Sequence, residues 1–243
     1  MNKQMRLRLD GVLGRIPRTL SSIAVGGAQF TPDAAGALYW DEQKTLIVAD
    51  LHLQKSSSFA RRGTLLPPYD TPATLALLAA VIARYGPRRV IALGDSFHDT
   101  EGASTLGSDD LDSLRKLQAG RDWLWIAGNH DPHLPSSIGG ETVPHLRIGG
   151  IRFVHEPDSS RHGPEVAGHL HPAAKLYHRG ASVRRKCFIG NGSRLVLPAF
   201  GVYAGGLNVL DRAFAALFGR AFLVWMLGGN RVYPIAARQL LAD

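Results

Sequence analysis

Five short clusters of aspartate, asparagine and histidine recur along the chain: Asp50-Leu51-His52, Gly94-Asp95, Gly128-Asn129-His130-Asp131, a lone His155, and Gly168-His169-Leu170-His171. Carboxylate and imidazole groups together suit Mn, Fe, Zn or Ni, and an asparagine carbonyl is a hard, neutral oxygen ligand. Two metal ions about 3.5–4 Å apart need roughly four protein ligands each, with one shared. An aspartate, with two oxygens and a full charge, is the natural bridge. His130 adjoins a ligand-type residue and suits a proton donor or charge stabiliser. Any one cluster also reads as a polar turn. Their repetition favours metal chemistry.

Apolar runs at 45–49, 90–93 and 123–127 read as buried strands, and the clusters at 50, 95 and 129 follow at their C-terminal ends. Helical stretches separate them. One spans 54–62 and is ended by Gly63. A second starts at Thr71-Pro72, with Thr71 as N-cap, and aligns Leu75, Leu78, Ile82 and Tyr85 on one face. A third starts at Ser108, carries Leu111, Leu114 and Leu117, and ends at Gly120. Strand, loop and helix in repetition indicate an α/β sheet with parallel strands, whose chemistry gathers at the C-terminal strand ends. Further strands are expected at 23–25 and 37–40, with turns between them. The second half reads as a hairpin at 146–148 and 151–154, strands at 175–178, 183–189 and 194–197, a helix over 209–218, and a terminal hairpin at 221–227 and 231–235. No linker, low-complexity tract or repeat interrupts 1–243, so one domain is expected.

The hydrophobic fraction of 45% and charged fraction of 20% fit a soluble globular protein. The single Cys187 excludes an intramolecular disulfide framework and reads as a small core residue. No apolar run reaches about 18 residues, which argues against a membrane span. No signal-like leader is visible, so a cytoplasmic location is expected. The net charge of +8 suits an acidic partner such as nucleic acid. Basic residues cluster at Arg6, Arg8, Arg15 and Arg18 in an expected N-terminal arm, and at Arg61-Arg62, Arg88-Arg89 and Arg184-Arg185-Lys186.

In this order, the motifs resemble those of the calcineurin-like metallophosphoesterase superfamily over about residues 45–172. The resemblance implies a four-layer αββα sandwich, two mixed β-sheets flanked by helices. It implies that Asp50, His52 and His171 bind one metal ion, that Asn129, His155 and His169 bind a second, and that Asp95 bridges. His130 would be the non-ligand catalytic histidine beside the scissile phosphate, paired through Asp95 or Asp131. The cofactors implied are two divalent ions, Mn first, with Fe, Zn or Ni also accepted by these ligands. They would activate a water for attack on phosphorus.

Many superfamily members carry an acidic residue three positions after the bridging aspartate. This chain has His98 there, similar to SbcD-type nucleases, in which that histidine helps handle the DNA phosphate. Asp50-Leu51-His52-Leu53 with Lys55, Phe59 and Arg61-Arg62-Gly63, and the Gly-rich stretch 197–208, resemble the PdeM-type phosphoesterases of the bacterial ligase-associated DNA damage response. That family is described as Mn-dependent DNA endonucleases. The resemblance implies a DNA-repair phosphodiesterase that meets the phosphate backbone with little sequence specificity, beside a ligase, an exonuclease and a helicase. The alternative substrate is a small nucleotide or pyrophosphate, which calls for a closed pocket or apolar lid. A non-catalytic scaffold would be free to lose ligands, and none is missing. Arg61 and Arg62 read either as contacts to flanking phosphates or as solvated charges. His133 reads as a turn residue or a neighbour of the ligands, and His145, His162 and His178 as surface or hydrogen-bonded residues. Trp123 and Trp125 read as packing rather than base stacking, and Phe200 and Tyr203, in a Gly-rich loop, read either as base-stacking residues or, the favoured reading, as caps on the core.

Overall fold

The computed structural model describes residues 22–178 and 180–243. The basic arm with Arg6, Arg8, Arg15 and Arg18 lies outside the described residues. The first sheet runs in the order β1 (Ile23–Val25), β2 (Ala28–Pro32), β3 (Leu38–Trp40), β4 (Thr45–Ala49), β5 (Arg89–Leu93), β6 (Asp122–Ile126) and β7 (Glu141–Val143). It is antiparallel up to β4 and parallel from β4 to β7. The parallel steps are crossed by α2 (Asp70–Tyr85), preceded by the short α1 (Lys55–Arg61), and by α3 (Ser108–Gln118).

The second sheet holds β8 (Leu146–Ile148), β9 (Ile151–Val154), β10 (Glu165–Ala167), β11 (Pro172–His178), β12 (Ala181–Gly190), β13 (Arg194–Val196), β14 (Leu207–Asn208), β15 (Leu223–Leu227) and β16 (Val232–Ala236). Its main path is β14-β11-β12-β13-β10-β9-β8, and β15 joins through β12. The helix α4 (Arg212–Phe218) lies outside it.

Strand alternation explains the layers. Ile47 and Ala49 of β4, with Ile91, Leu93 and Ile126, pack against Phe153, Val166, Phe188, Leu195 and Trp225 of the second sheet. Their neighbours Leu46, Val48, Val90, Trp123 and Trp125 pack against Leu75, Leu78, Val81 and Ile82 of α2 and Leu114 of α3. On the far side, Cys187, Ile189, Val224 and Met226 meet Phe214 and Phe218 of α4. The result is the expected αββα sandwich. Truncating one of these aliphatic residues to alanine costs about 2–5 kcal/mol.

Three local expectations change. Helix α2 begins at Asp70 with Tyr69 at the cap position, so Thr71 is not its N-cap. Thr71 and Asp70 instead serve α1. The amide of Gln54 donates to Thr71 Oγ1 at 2.8 Å, and those of Lys55 and Ser56 donate to Asp70 Oδ2 at 2.8 and 3.3 Å. Helix α1 starts directly after the Asp50–His52 turn and has no side-chain cap of its own. Its orphan amides are therefore met by the neighbouring helix. The helix expected over 209–218 is confined to α4, capped by Asp211, whose Oδ1 accepts from the Ala213 amide at 2.9 Å. The stretch expected as turns between 25 and 37 contains strand β2, which pairs with β1 and β3. Among the described residues no helix is long and apolar enough to cross a membrane.

Candidate metal centre

Strands β4, β5 and β6 end side by side, with Ala49 opposite Leu93 and Leu93 opposite Ile126. The residues that follow them, Asp50, Asp95 and Asn129, therefore emerge at one edge of the first sheet. Across the sandwich, β9 and β10 are also parallel, with Val154 opposite Ala167, and lead to His155 and His169.

The side chains form two groups. Asp50, His52 and His171 make one, and Asp95, His155 and His169 the other, each with its ligand atoms within 4.8 Å of one another. In the first, His52 Nε2 faces His171 Nε2 at 3.1 Å, and His171 Nε2 lies 3.5 Å from Asp50 Oδ1. In the second, His155 Nε2 lies 3.0 Å from His169 Nδ1 and 3.4 Å from Asp95 Oδ1. Two imidazole nitrogens at such distances repel unless a proton or a cation lies between them. Nitrogen and carboxylate donors converging in this way fit a pair of divalent transition-metal ions.

The ring of His155 is set from behind. Its Nδ1 lies 3.0 Å from Leu93 O, the last carbonyl of β5. A carbonyl only accepts, so Nδ1 carries the hydrogen and Nε2 faces the group. Gly94 makes this approach possible, since a Cβ there would lie 2.3 Å from His155 Nδ1. Five of the six residues hold left-handed backbones: Asp50 (φ 53°), His52 (45°), Asp95 (44°), His169 (71°) and His171 (46°). Each such residue costs on the order of 1–3 kcal/mol and persists because surrounding contacts over-determine it. The amide of His169 is tied to Asp50 Oδ2 at 3.0 Å, and that of His52 to Asp95 O at 3.0 Å.

Electrostatics separate the histidines. Burial, then the neighbouring His171, pulls His52 down to about 3. Burial likewise lowers His169. Burial also works against a charged His155, yet the Asp95 and Asp50 carboxylates outweigh it and hold the ring at about 9. For Asp95, burial opposes the charge, and the bonds from His155 and from the His130 amide hold it well below the usual carboxylate range. The charge of Asp95 reaches His52 as well as His155, so it faces both groups.

His130 and His98 cover this edge. The His130 amide donates to Asp95 Oδ1 at 2.9 Å, and its Nε2 lies 3.8 Å from Asp95 Oδ2. Its side chain is 48% exposed. The His98 ring stacks on His130 at 5.6 Å and 16°, and also meets Phe59 at 5.6 Å and His52 at 5.4 Å. Burial, then the charge of Lys55, lowers His98 to about 4. Asn129 is exposed and follows β6 directly before His130.

Asp131 does not pair with His130. It is buried, and its Oδ2 accepts the amides of Ser96 and Phe97 at 2.7 and 3.0 Å. It therefore shapes the turn after Asp95, and His130 pairs through Asp95 alone. Burial raises the Asp131 carboxyl to about 7, and its Oδ1 has no partner. Arg61 is exposed, but its guanidinium is engaged within the protein. It is bound to Asp99 and, at 3.3 Å, to Glu101 in the loop after His98. Arg62 is exposed and its charge reaches His98. His133, His145 and His162 are exposed, and Trp123, Trp125 and Phe200 are buried packing residues.

Two site neighbours escaped the sequence. Leu93 acts through its main chain, which no residue type announces. Lys186 falls in the basic cluster Arg184-Arg185-Lys186, yet it directly precedes the apolar run Cys187-Phe188-Ile189, a placement that signals a buried stem.

No family model and no curated protein matches this sequence. Among solved structures, the chain is similar to the Pseudomonas putida nuclease MPE, with a TM-score of 0.68, 29% identity, and coverage of 88% of this chain and 98% of that one. A second match, to the phosphoesterase YfcE from E. coli, has a TM-score of 0.39, 15% identity, and coverage of 79% and 98%, and adds no weight.

Proposed function

We propose that this chain, whose fold and motifs resemble those of the calcineurin-like metallophosphoesterases, is a metal-dependent phosphodiesterase that cleaves DNA. The observation that carries the proposal is the pair of histidine–carboxylate groups at one sheet edge, with His130 held over Asp95 at their mouth. In this reading Asp50, His52 and His171 would hold one divalent cation, Asn129, His155 and His169 would hold the other, and Asp95 would serve both. Mn is the expected ion, in keeping with mixed imidazole and carboxylate donors. Bound there, two cations supply a lowered pKa for the attacking water and charge neutralisation at the phosphoryl oxygens.

The chain's own groups do the rest. His130, exposed and oriented by Asp95, delivers a proton to the leaving oxygen or stabilises its charge, which contributes about 10²–10⁴-fold. His98, stacked on His130, presents its outer nitrogen to a non-bridging phosphate oxygen. Lys55 and Arg62 add positive charge beside His98, which suits a polyanionic substrate. The net charge of +8 and the similarity to a protein named as a nuclease support DNA over a small phosphodiester. The motif-level resemblance extends the proposal to cytoplasmic DNA repair beside ligase-associated proteins.

The test is nicking of circular single-stranded DNA by purified protein with Mn²⁺, run with Asn129→Ala and His130→Ala and beside a chromogenic phosphodiester. Cleavage by the wild type and failure of both variants is the expected result. Turnover of the small diester with an intact circle would sink the DNA assignment and leave the metal centre standing.

A further inference from the structure

The Lys186 side chain of β12 reaches from the second sheet toward the first. Its Nζ donates to Ala199 O at 2.8 Å and to Gly201 O at 2.7 Å. The same short stretch is bonded on its other side. The amides of Phe200 and Gly201 donate to Ala49 O at 2.8 Å and Asp50 O at 3.1 Å. Residues 199–201 are thus gripped between a lysine of one sheet and the strand end that bears Asp50 in the other. The contact is backbone against backbone. A Cβ at Gly201 would lie 2.3 Å from Leu51 O, so only glycine lets the chain approach this closely.

The loop continues to the other side of the same group. The amide of Leu207 donates to His171 O at 2.9 Å. Lys55, in the first turn of α1, holds the loop midway by donating to Tyr203 O at 3.1 Å. Asp50 and His171 both have left-handed backbones, which need external contacts to persist. Burial draws Lys186 down to about 8, and the Asp50 charge works against that fall. A cation is therefore kept behind the Asp50 turn at neutral pH.

We propose that Lys186 is a positioning residue for Asp50: by clamping the carbonyls of Ala199 and Gly201 it holds the Asp50 backbone in the conformation that aims its carboxylate at the first histidine group. The proposal deepens the metal-centre reading and rests on it. It predicts a larger effect on the Asp50, His52 and His171 group than on the other, because residues 199–201 bond directly to the Asp50 strand end, whereas the Asp95, His155 and His169 group meets Asp50 only through the His169 amide and the His155 ring.

The experiment titrates Mn²⁺ into the chelator-stripped full chain by calorimetry, for wild type, Asp50→Asn, Lys186→Met and Lys186→Gln, with kcat and KM for a chromogenic phosphodiester measured in parallel. Asp50→Asn tests the underlying reading. If it binds Mn²⁺ as wild type does, the assignment of Asp50 is wrong whatever Lys186 does. If Asp50→Asn weakens Mn²⁺ binding, Lys186→Met is expected to weaken one site about 10-fold or more and the other distinctly less. Its kcat should fall with KM little changed, and Lys186→Gln, which keeps one donor, should recover part of both losses. A Lys186→Met protein with wild-type affinity at both sites and wild-type kcat, differing only in melting temperature, would overturn the proposal. Should Lys186→Met fail to fold, Lys186→Gln carries the same comparison, and unchanged affinity there overturns it equally.

Discussion

The Nδ1 atoms of His52 and His98 lie 3.4 Å apart, while the Nε2 of His52 points into the first group, 3.1 Å from His171 Nε2. Were Nε2 to bind a metal ion as proposed, His52 would carry its hydrogen on Nδ1 and offer it to His98. His98 would then accept on Nδ1 and be left with a donor on its outer nitrogen. In the proposed function one residue would thus orient a ligand and face the substrate. His98→Ala should lower kcat about 10–100-fold and also weaken Mn²⁺ binding. His98→Asn, which keeps a local acceptor, should restore the affinity more than the rate. Steady-state kinetics beside calorimetry checks this, and unaltered Mn²⁺ affinity in His98→Ala would remove the orienting role.

Metal binding should release protons. His155, held at about 9 by Asp95 and Asp50 against the cost of burial, is protonated at pH 7 without metal, and must lose that proton to offer Nε2. About one proton from this ring should leave at pH 7, fewer as pH rises through about 9. The same shift acts on the metal-free fold. Its folded value lies above the ordinary 6.5, so its stabilisation is full below that pH and is lost as pH rises through about 9. Calorimetry in buffers of different ionisation enthalpy gives the proton count, and a count that does not change between pH 7 and 9 would contradict it.

Asp131 should matter for folding more than for chemistry. Removing its carboxylate orphans the buried amides of Ser96 and Phe97, so Asp131→Ala should cost about 2–3 kcal/mol in urea unfolding. Asp131→Asn keeps an acceptor for both amides and gives up a charge that burial disfavours. It should cost less than about 1 kcal/mol, the scale of a single net hydrogen bond. Equal losses in the two variants would mean that the charge itself is required.

Adjacent arginines should behave differently. Arg62 is exposed and unburdened by the Asp99 and Glu101 pairing that occupies Arg61. Arg62→Ala should raise KM for DNA, leave a small diester unaffected, and reduce the log–log salt slope by about 1. Arg61→Ala frees the loop that carries His98 and should lower kcat on both substrates. The salt series on DNA and the kcat values on both substrates separate these effects.

Much of the centre is local and therefore readable in the chain. An apolar run followed at once by Asp50-Leu51-His52, or by Gly94-Asp95, identifies a strand and a polar group at its end without any knowledge of what lies opposite. The apolar runs of β4 and β6 also foretold buried side chains, including Trp123 and Trp125. Local cues misled at Thr71, because a capping side chain serves whichever orphan amide is nearest in space. Here that is the amide of Gln54, seventeen residues earlier.

The residue types and their order by themselves determined the layered α/β architecture and the sheet edge that gathers the polar clusters, since these follow from periodicity along a continuous chain, while the ligand assignment is what the family resemblance implies. Tertiary structure alone decided that Asp95 and not Asp131 meets His130, that Leu93 O sets the ring of His155, and that Lys186 stands behind Asp50. Each of those contacts joins residues distant in sequence or acts through the main chain. Their distances are set by strand register, sheet-to-sheet packing and left-handed turns, and none of these is a property of a residue type.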